Sequence, residues 1–133
     1  MIRMLCGTGH LLLFSFVYAW WNGRANVHEE NLSNLLLLAY LGTQLFWRFP
    51  IRGSIVHIVD GLVAKTSITY FILYTVASKK VHLDYYAWLG TVFGSAYASH
   101  RYSSQDWLCT PHLLSHAVLH VSCSAASLYA FWK

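Results

Sequence analysis

The sequence predicts an all-α fold, a multi-span transmembrane helix bundle of about five helices joined by short loops. Hydrophobic residues make up 56% of the 133 residues and aromatic residues 17%, whereas charged residues make up only 11%. Soluble domains carry about 25% charged residues, and so small a domain has too little interior to bury this much apolar surface. The same composition excludes a disordered chain, which needs low hydrophobicity and high net charge. We therefore predict one integral membrane domain that covers residues 1–133.

The first apolar segment runs from residue 4 or 10 to residue 21. A helix needs about 20 mostly apolar residues to cross the hydrocarbon core, and this segment meets that requirement. Trp20 and Trp21 at its end suit an interfacial aromatic anchor. Arg3, the short apolar core and the small residue Ala19 also fit a signal peptide, so the sequence leaves a retained helix and a cleaved leader both open.

Four more segments follow along the chain. The second ends before Pro50, which cannot continue a helix, and the third is the longest although polar residues interrupt it. The fourth is short and rich in Gly, Ser and Thr, which suit close helix contacts in lipid. The fifth starts at Pro111, in the first turn where a helix tolerates proline. These segments cover residues 32–49, 54–77, 85–99 and 111–132.

Short loops force neighbouring helices to run antiparallel, so the loops alternate between two membrane faces. Face A, which holds the N-terminus, then also holds loops 48–53 and 100–110, and face B holds loops 22–31 and 78–84 with the C-terminus. Lys and Arg are equally distributed between the faces, so the positive-inside rule gives no orientation. Because the basic residues are scattered and form no patch, we expect no nucleic acid as a partner.

Ionisable side chains within two segments mark a candidate site, because such groups are expensive in a membrane and face the bundle interior. Ser54, His57 and Asp60 are spaced three apart and share one face of the third segment. His112 and His116 are spaced four apart and share one face of the fifth segment. Both segments begin on face A, so we expect the two clusters at matching depth on parallel helices. If these helices are neighbours, the side chains should converge within metal-bridging reach.

Histidines in this arrangement are typical of a catalytic zinc site, which uses three imidazoles and a water whose pKa the metal lowers. The carboxyl of Asp60 is placed to orient such a water or to accept its proton. The hydroxyl of Ser54 is placed to donate a hydrogen bond to a developing oxyanion. The predicted metal ligands are His57, His112 and His116, and the predicted catalytic residues are Asp60 and Ser54.

These residues resemble the motifs of the CREST superfamily of membrane hydrolases, which includes alkaline ceramidases, progestin and adipoQ receptors and myomaker-like proteins. The resemblance rests on Ser54, His57, Asp60 and the run DWLCTPHLLSH, residues 106–116. It implies zinc held by the three histidines, and hydrolysis of a lipid amide or ester assisted by Asp60. Since that superfamily has more spans than this chain, a homo- or hetero-oligomer is one way to complete the bundle.

Two alternatives stay open beside the hydrolase. In the first, the protein is a non-enzymatic membrane subunit or scaffold whose histidines satisfy backbone carbonyls or reach water. In the second, it is a haem-binding membrane cytochrome with His57 and His116 as axial ligands. Lys65, the deepest charge, is expected to snorkel or to pair with a carboxylate such as Asp60. Tryptophans near the segment ends, Trp47 and Trp107 among them, are expected at the membrane interface.

Overall fold

The computed structural model describes residues 2–132, and these residues form helices and no strands. The all-α prediction is therefore confirmed. A 3₁₀ turn, Leu128–Phe131, continues the last α-helix. The α-helices are α1 (Ile2–Asn22), α2 (Val27–Arg48), α3 (Ile55–Ser78), α4 (Leu83–Gln105) and α5 (Thr110–Ser127).

Local capping explains where the central helices begin. The side chain of Asn26 accepts a hydrogen bond from the backbone N–H of Glu29 at 3.0 Å, and α2 starts directly after it. Ser54 caps α3 in the same way, since its Oγ accepts from the N–H of His57 at 3.2 Å. Proline occupies the first turn of α5, as the sequence predicts.

The predicted end of α4 was wrong, because residues 100–105 are helical and do not belong to a loop. No Gly or Pro interrupts residues 95–110. The hydroxyls of Ser103 and Ser104 donate to the carbonyl of His100, which satisfies polar groups inside the last turns. Polar side chains therefore continue this helix, and His100 lies on it.

The helices pack in the order α3, α2, α1, α5, α4, which differs from their order in the chain. α1 lies at the centre of this series and contacts both α2 and α5. α3 and α4 form its two ends, and within residues 2–132 neither α4 nor α5 packs closely against α3. The condition that α3 and α5 are direct neighbours is therefore not met. A gap separates them, and the side chain of Ile68 on α3 narrows it by packing against the cluster of Tyr85, Val92 and Ala126.

Contacts between the loops agree with the predicted alternation of faces. On face A, Trp107 Nε1, just before α5, donates to the carbonyl of Pro50, just before α3, at 3.3 Å. On face B, Lys79 at the end of α3 lies 3.3 Å from the carboxylate of Glu29 near the start of α2. α3 and α5 therefore both begin at face A.

Three helices are long and apolar enough to span a membrane, namely Ile2–Asn22, Ile55–Ser78 and Thr110–Phe131. α3 presents much apolar surface outward, for example at Ile55, which is 81% exposed. Exposed apolar surface of this extent is typical of a protein that contacts lipid. Spans by α2 and α4 stay predictions, because these helices carry more polar residues.

Candidate functional site

A cavity of about 350 Å³ lies among α2, α3, α4 and α5. The volume is within the range of small-molecule sites, about 300–1,000 Å³. The predicted site residues His57 and Asp60 reach it from α3, and His112 and His116 reach it from α5. Ser54 does not line the cavity, because its hydroxyl caps α3. Four of the five predicted residues therefore line one shared cavity.

The cavity changes from polar to apolar along the helix axes. Its α3 wall extends from His57 to Ile72, which corresponds to about 22 Å at 1.5 Å per helical residue. The polar end lies near face A, where α3 and α5 begin. Its lining there includes His57, Asp60, His100, Ser103, His112 and His116. The opposite end is lined mainly by apolar residues, among them Leu36, Phe71, Ile72 and Leu89, with Tyr85 and Ser127 beside them, and Lys65 lines the middle.

His57 and His112 are oriented by the same type of hydrogen bond. In each, a ring nitrogen accepts from the backbone N–H of the residue four positions earlier. Nδ1 of His57 accepts from the N–H of Gly53 at 2.9 Å, and Nδ1 of His112 accepts from the N–H of Leu108 at 3.1 Å. Leu108 has a φ of 65°, a left-handed conformation that this bond helps to hold. An imidazole nitrogen that accepts carries no proton, so both rings are neutral and carry their proton on Nε2.

His116 and His120 continue the row of histidines into the bundle. Nδ1 of His116 lies 2.9 Å from the hydroxyl of Ser99 on α4, and Nδ1 of His120 lies 2.9 Å from the hydroxyl of Thr8 on α1. Their rings meet edge to face with centroids 4.8 Å apart. Sequence reasoning missed Ser99 and Thr8, since their role follows only from which helices flank α5.

Two tryptophans belong to the site, although both were predicted at the membrane interface. Trp47 is only 1% exposed, and its ring lies 5.0 Å from His116 and 6.0 Å from His112. The interfacial prediction for Trp47 was wrong, because α2 packs between α1 and α3 and turns this side chain inward. Trp107 is half-buried, with ring centroids 5.4 Å from His57 and 5.0 Å from His112.

The carboxyl group of Asp60 packs against α2 at the position of a glycine. A Cβ atom placed on Gly42 would lie 2.9 Å from Asp60 Oδ1, so the missing side chain makes room for the carboxyl group. Lys65 also lines the cavity, yet it makes no ion pair with Asp60. Within the described residues the one ion pair joins Lys79 to Glu29. The predicted partnership of Lys65 with a carboxylate is therefore not observed there.

The histidines, as hydrogen-bonded here, do not fit the predicted zinc site. A zinc ligand offers a nitrogen lone pair to the metal and donates its other N–H to an acceptor. His57 and His112 do the reverse, since Nδ1 accepts and Nε2 carries the proton. In residues 2–132, no three His, Cys, Asp or Glu side chains are grouped so as to hold a metal ion. Zinc and haem both stay predictions that metal analysis tests.

Comparison with protein-family models, with curated proteins and with solved structures gives no match for this chain. The resemblance to the CREST superfamily therefore rests on the quoted residues alone.

Proposed function

We propose that this chain is a multi-pass membrane protein that binds a single-chain lipid in the cavity. The head group lies at the histidine end near face A, and the chain extends toward face B. The observation that carries this proposal is the gradient along the cavity, from His57 and His112 at one end to Phe71 and Ile72 at the other. Membrane amphiphiles have the same order of polar and apolar parts.

The outer surfaces of α3 and α4 suit contact with the lipid phase. Both helices expose large apolar residues, for example Leu62 at 60% and Phe93 at 57%. A ligand that enters between two such helices stays in an apolar environment throughout. This route favours a lipid over a water-soluble ligand.

The dimensions favour one hydrocarbon chain over two. The wall of about 22 Å is longer than half of a hydrocarbon core of about 30 Å, so a chain bound along it reaches past the bilayer midplane. A volume of about 350 Å³ is at the low end of the range for small-molecule sites. A narrow, long site of this kind suits one extended acyl chain.

Hydrolysis of the bound lipid, implied by the resemblance, is a separate proposal. Binding near face A would bring an ester or amide next to Asp60 and the histidines. Incubation with lipid followed by product analysis tests this step, with Asp60→Asn as the variant that loses turnover if the carboxyl takes part. Binding without products would favour the non-enzymatic alternative.

Filling the cavity tests the binding proposal directly. Ala96 on α4 lines the cavity, whereas Ala87 on the same helix is exposed. Ala96→Trp should therefore abolish binding of a single-chain amphiphile with a brominated tail, and Ala87→Trp should leave it unchanged. Quenching of tryptophan fluorescence by bromine measures binding, because Trp47 lies on the cavity wall. Thermal unfolding of both variants checks that each is folded.

Two results would contradict the proposal. Equal quenching of folded Ala96→Trp and Ala87→Trp would place the amphiphile outside the cavity. Dissociation of a dimer by Ala96→Trp alone would show that a helix of a second copy occupies the gap, as the scaffold alternative expects.

A further inference from the structure

We infer that the polar end of the cavity is a metal-free site for an anionic oxygen-acceptor head group, a carboxylate or a phosphate. The site consists of the Nε2–H groups of His57 and His112. This inference rests on the proposed function, since it names the head group of the lipid that the cavity binds.

Both donors are fixed by the backbone. The N–H of Gly53 and the N–H of Leu108 are donors only, so the imidazole nitrogens that meet them act as acceptors. The proton of each neutral ring is therefore on Nε2. Neither Nε2–H has a hydrogen-bond acceptor within residues 2–132, and both rings line the cavity. Each ring thus presents a donor that a ligand oxygen satisfies.

The indole of Trp47 lies beside these two donors. Its Nε1 is buried and has no hydrogen-bond partner among the described residues. Because this nitrogen has almost no accessible surface, an oxygen in the cavity does not reach it unless neighbouring side chains move. The ring of Trp47 lies 6.0 Å from that of His112, and both residues line the cavity. Recognition of the head group therefore depends on the two imidazole donors.

The charges around this end favour an anion. The guanidinium of Arg52 lies 5.5 Å from the ring of Trp107, and that ring contacts both His57 and His112. Asp60 is one turn deeper, and its Oδ1 is turned against Gly42 on α2. An anionic head near face A therefore meets the cation first and the donors next, while the carboxyl of Asp60 lies behind them.

A series of sixteen-carbon amphiphiles tests the chemistry of the head group on the detergent-purified full chain. Palmitate and hexadecyl phosphate should bind at least about tenfold more tightly than hexadecanol or hexadecylamine, since hydrogen bonds to an ionised acceptor are stronger than those to a neutral one. Inorganic phosphate should not displace them. Displacement by inorganic phosphate would still support the donor site, but it would assign the anion to a soluble source.

Asparagine variants remove the Nε2–H donor of each histidine but keep an acceptor for the backbone N–H of the loop. In His57→Asn and His112→Asn the amide oxygen replaces Nδ1 as the acceptor for the loop, and the Nε2–H is lost. Each should weaken palmitate binding about tenfold and leave hexadecanol binding unchanged. The matched controls His57→Gln and His112→Gln keep a distal amide donor but lose the loop acceptor, so they should retain more affinity and lose more stability.

Several results would overturn this inference. These are equal affinity for all four head groups, ¹⁵N spectra that place the proton of both rings on Nδ1, or one zinc per chain that His57→Asn removes. If the head groups are not distinguished but Ala96→Trp still abolishes binding, the donor site fails and the lipid cavity stands. If no amphiphile binds the folded protein, the proposed function fails as well.

Discussion

Gly42→Ala tests the contact between α2 and α3, because its effect on the free energy of unfolding combines a gain in helix propensity with a loss in packing. Replacing a helical glycine by alanine stabilises a helix by about 1 kcal/mol when the methyl group meets nothing. At Gly42 the new Cβ would lie 2.9 Å from Asp60 Oδ1, so the carboxyl group has to move. Overpacking costs about 1–3 kcal/mol, which leaves Gly42→Ala between neutral and about 2 kcal/mol less stable than the parent.

Gly90→Ala is the matched control, since nothing lies within 4 Å of a Cβ at that helical position. We expect it to gain about 1 kcal/mol, so the two variants should differ by about 1–3 kcal/mol. Unfolding in mixed micelles, followed by tryptophan fluorescence, measures both free energies. In the Asp60→Ala background, Gly42→Ala should become as stabilising as the control. Equal effects of the two alanines in the parent background would refute this contact.

Three further predictions concern face B, topology and cofactors. Tyr74→Phe should lower the free energy of unfolding by about 1.5–3 kcal/mol, because it removes a hydrogen bond to the buried carboxylate of Glu29, which is 2.6 Å long. Tyr70→Phe, at an exposed hydrogen bond, should change it by less than about 1 kcal/mol, and equal losses would contradict this account. Cysteines replacing Arg52 and Lys80 should react with an impermeant reagent from opposite sides of the membrane, and labelling from one side would contradict the alternation of faces. Elemental analysis and a visible spectrum of the purified protein should find neither stoichiometric zinc nor a Soret band, and either signal would restore the corresponding cofactor prediction.

The number and type of the helices followed from the sequence, because long apolar segments bounded by Pro50, Pro111 and the capping residue Ser54 leave few other solutions. The sequence also predicts that His57 and His112 lie at a similar depth in the membrane, because this requires only that short loops alternate between the two faces. The order in which the helices pack did not follow. In a membrane, residues that face lipid and residues that face protein are equally apolar, so hydropathy does not reveal that Trp47 points inward.

The chemistry of the histidines was also beyond the sequence. The spacing of His112 and His116 places both rings on one helix face, but it does not specify which nitrogen carries a proton. That choice depends on the backbone N–H groups of Gly53 and Leu108, which turn toward the rings only in the folded loops. The same spacing therefore fits metal ligands and hydrogen-bond donors equally well.

Position-dependent photo-crosslinking tests the lipid cavity most directly. Two palmitate analogues are compared on the purified protein, one with a diazirine near the carboxylate and one with a diazirine near the end of the chain. We predict that the first labels the region of Trp107 and His112, that the second labels Phe71 and Ile72, and that Ala96→Trp abolishes both. Labelling of outward-facing residues such as Leu62, independent of the diazirine position and of Ala96→Trp, would contradict the account.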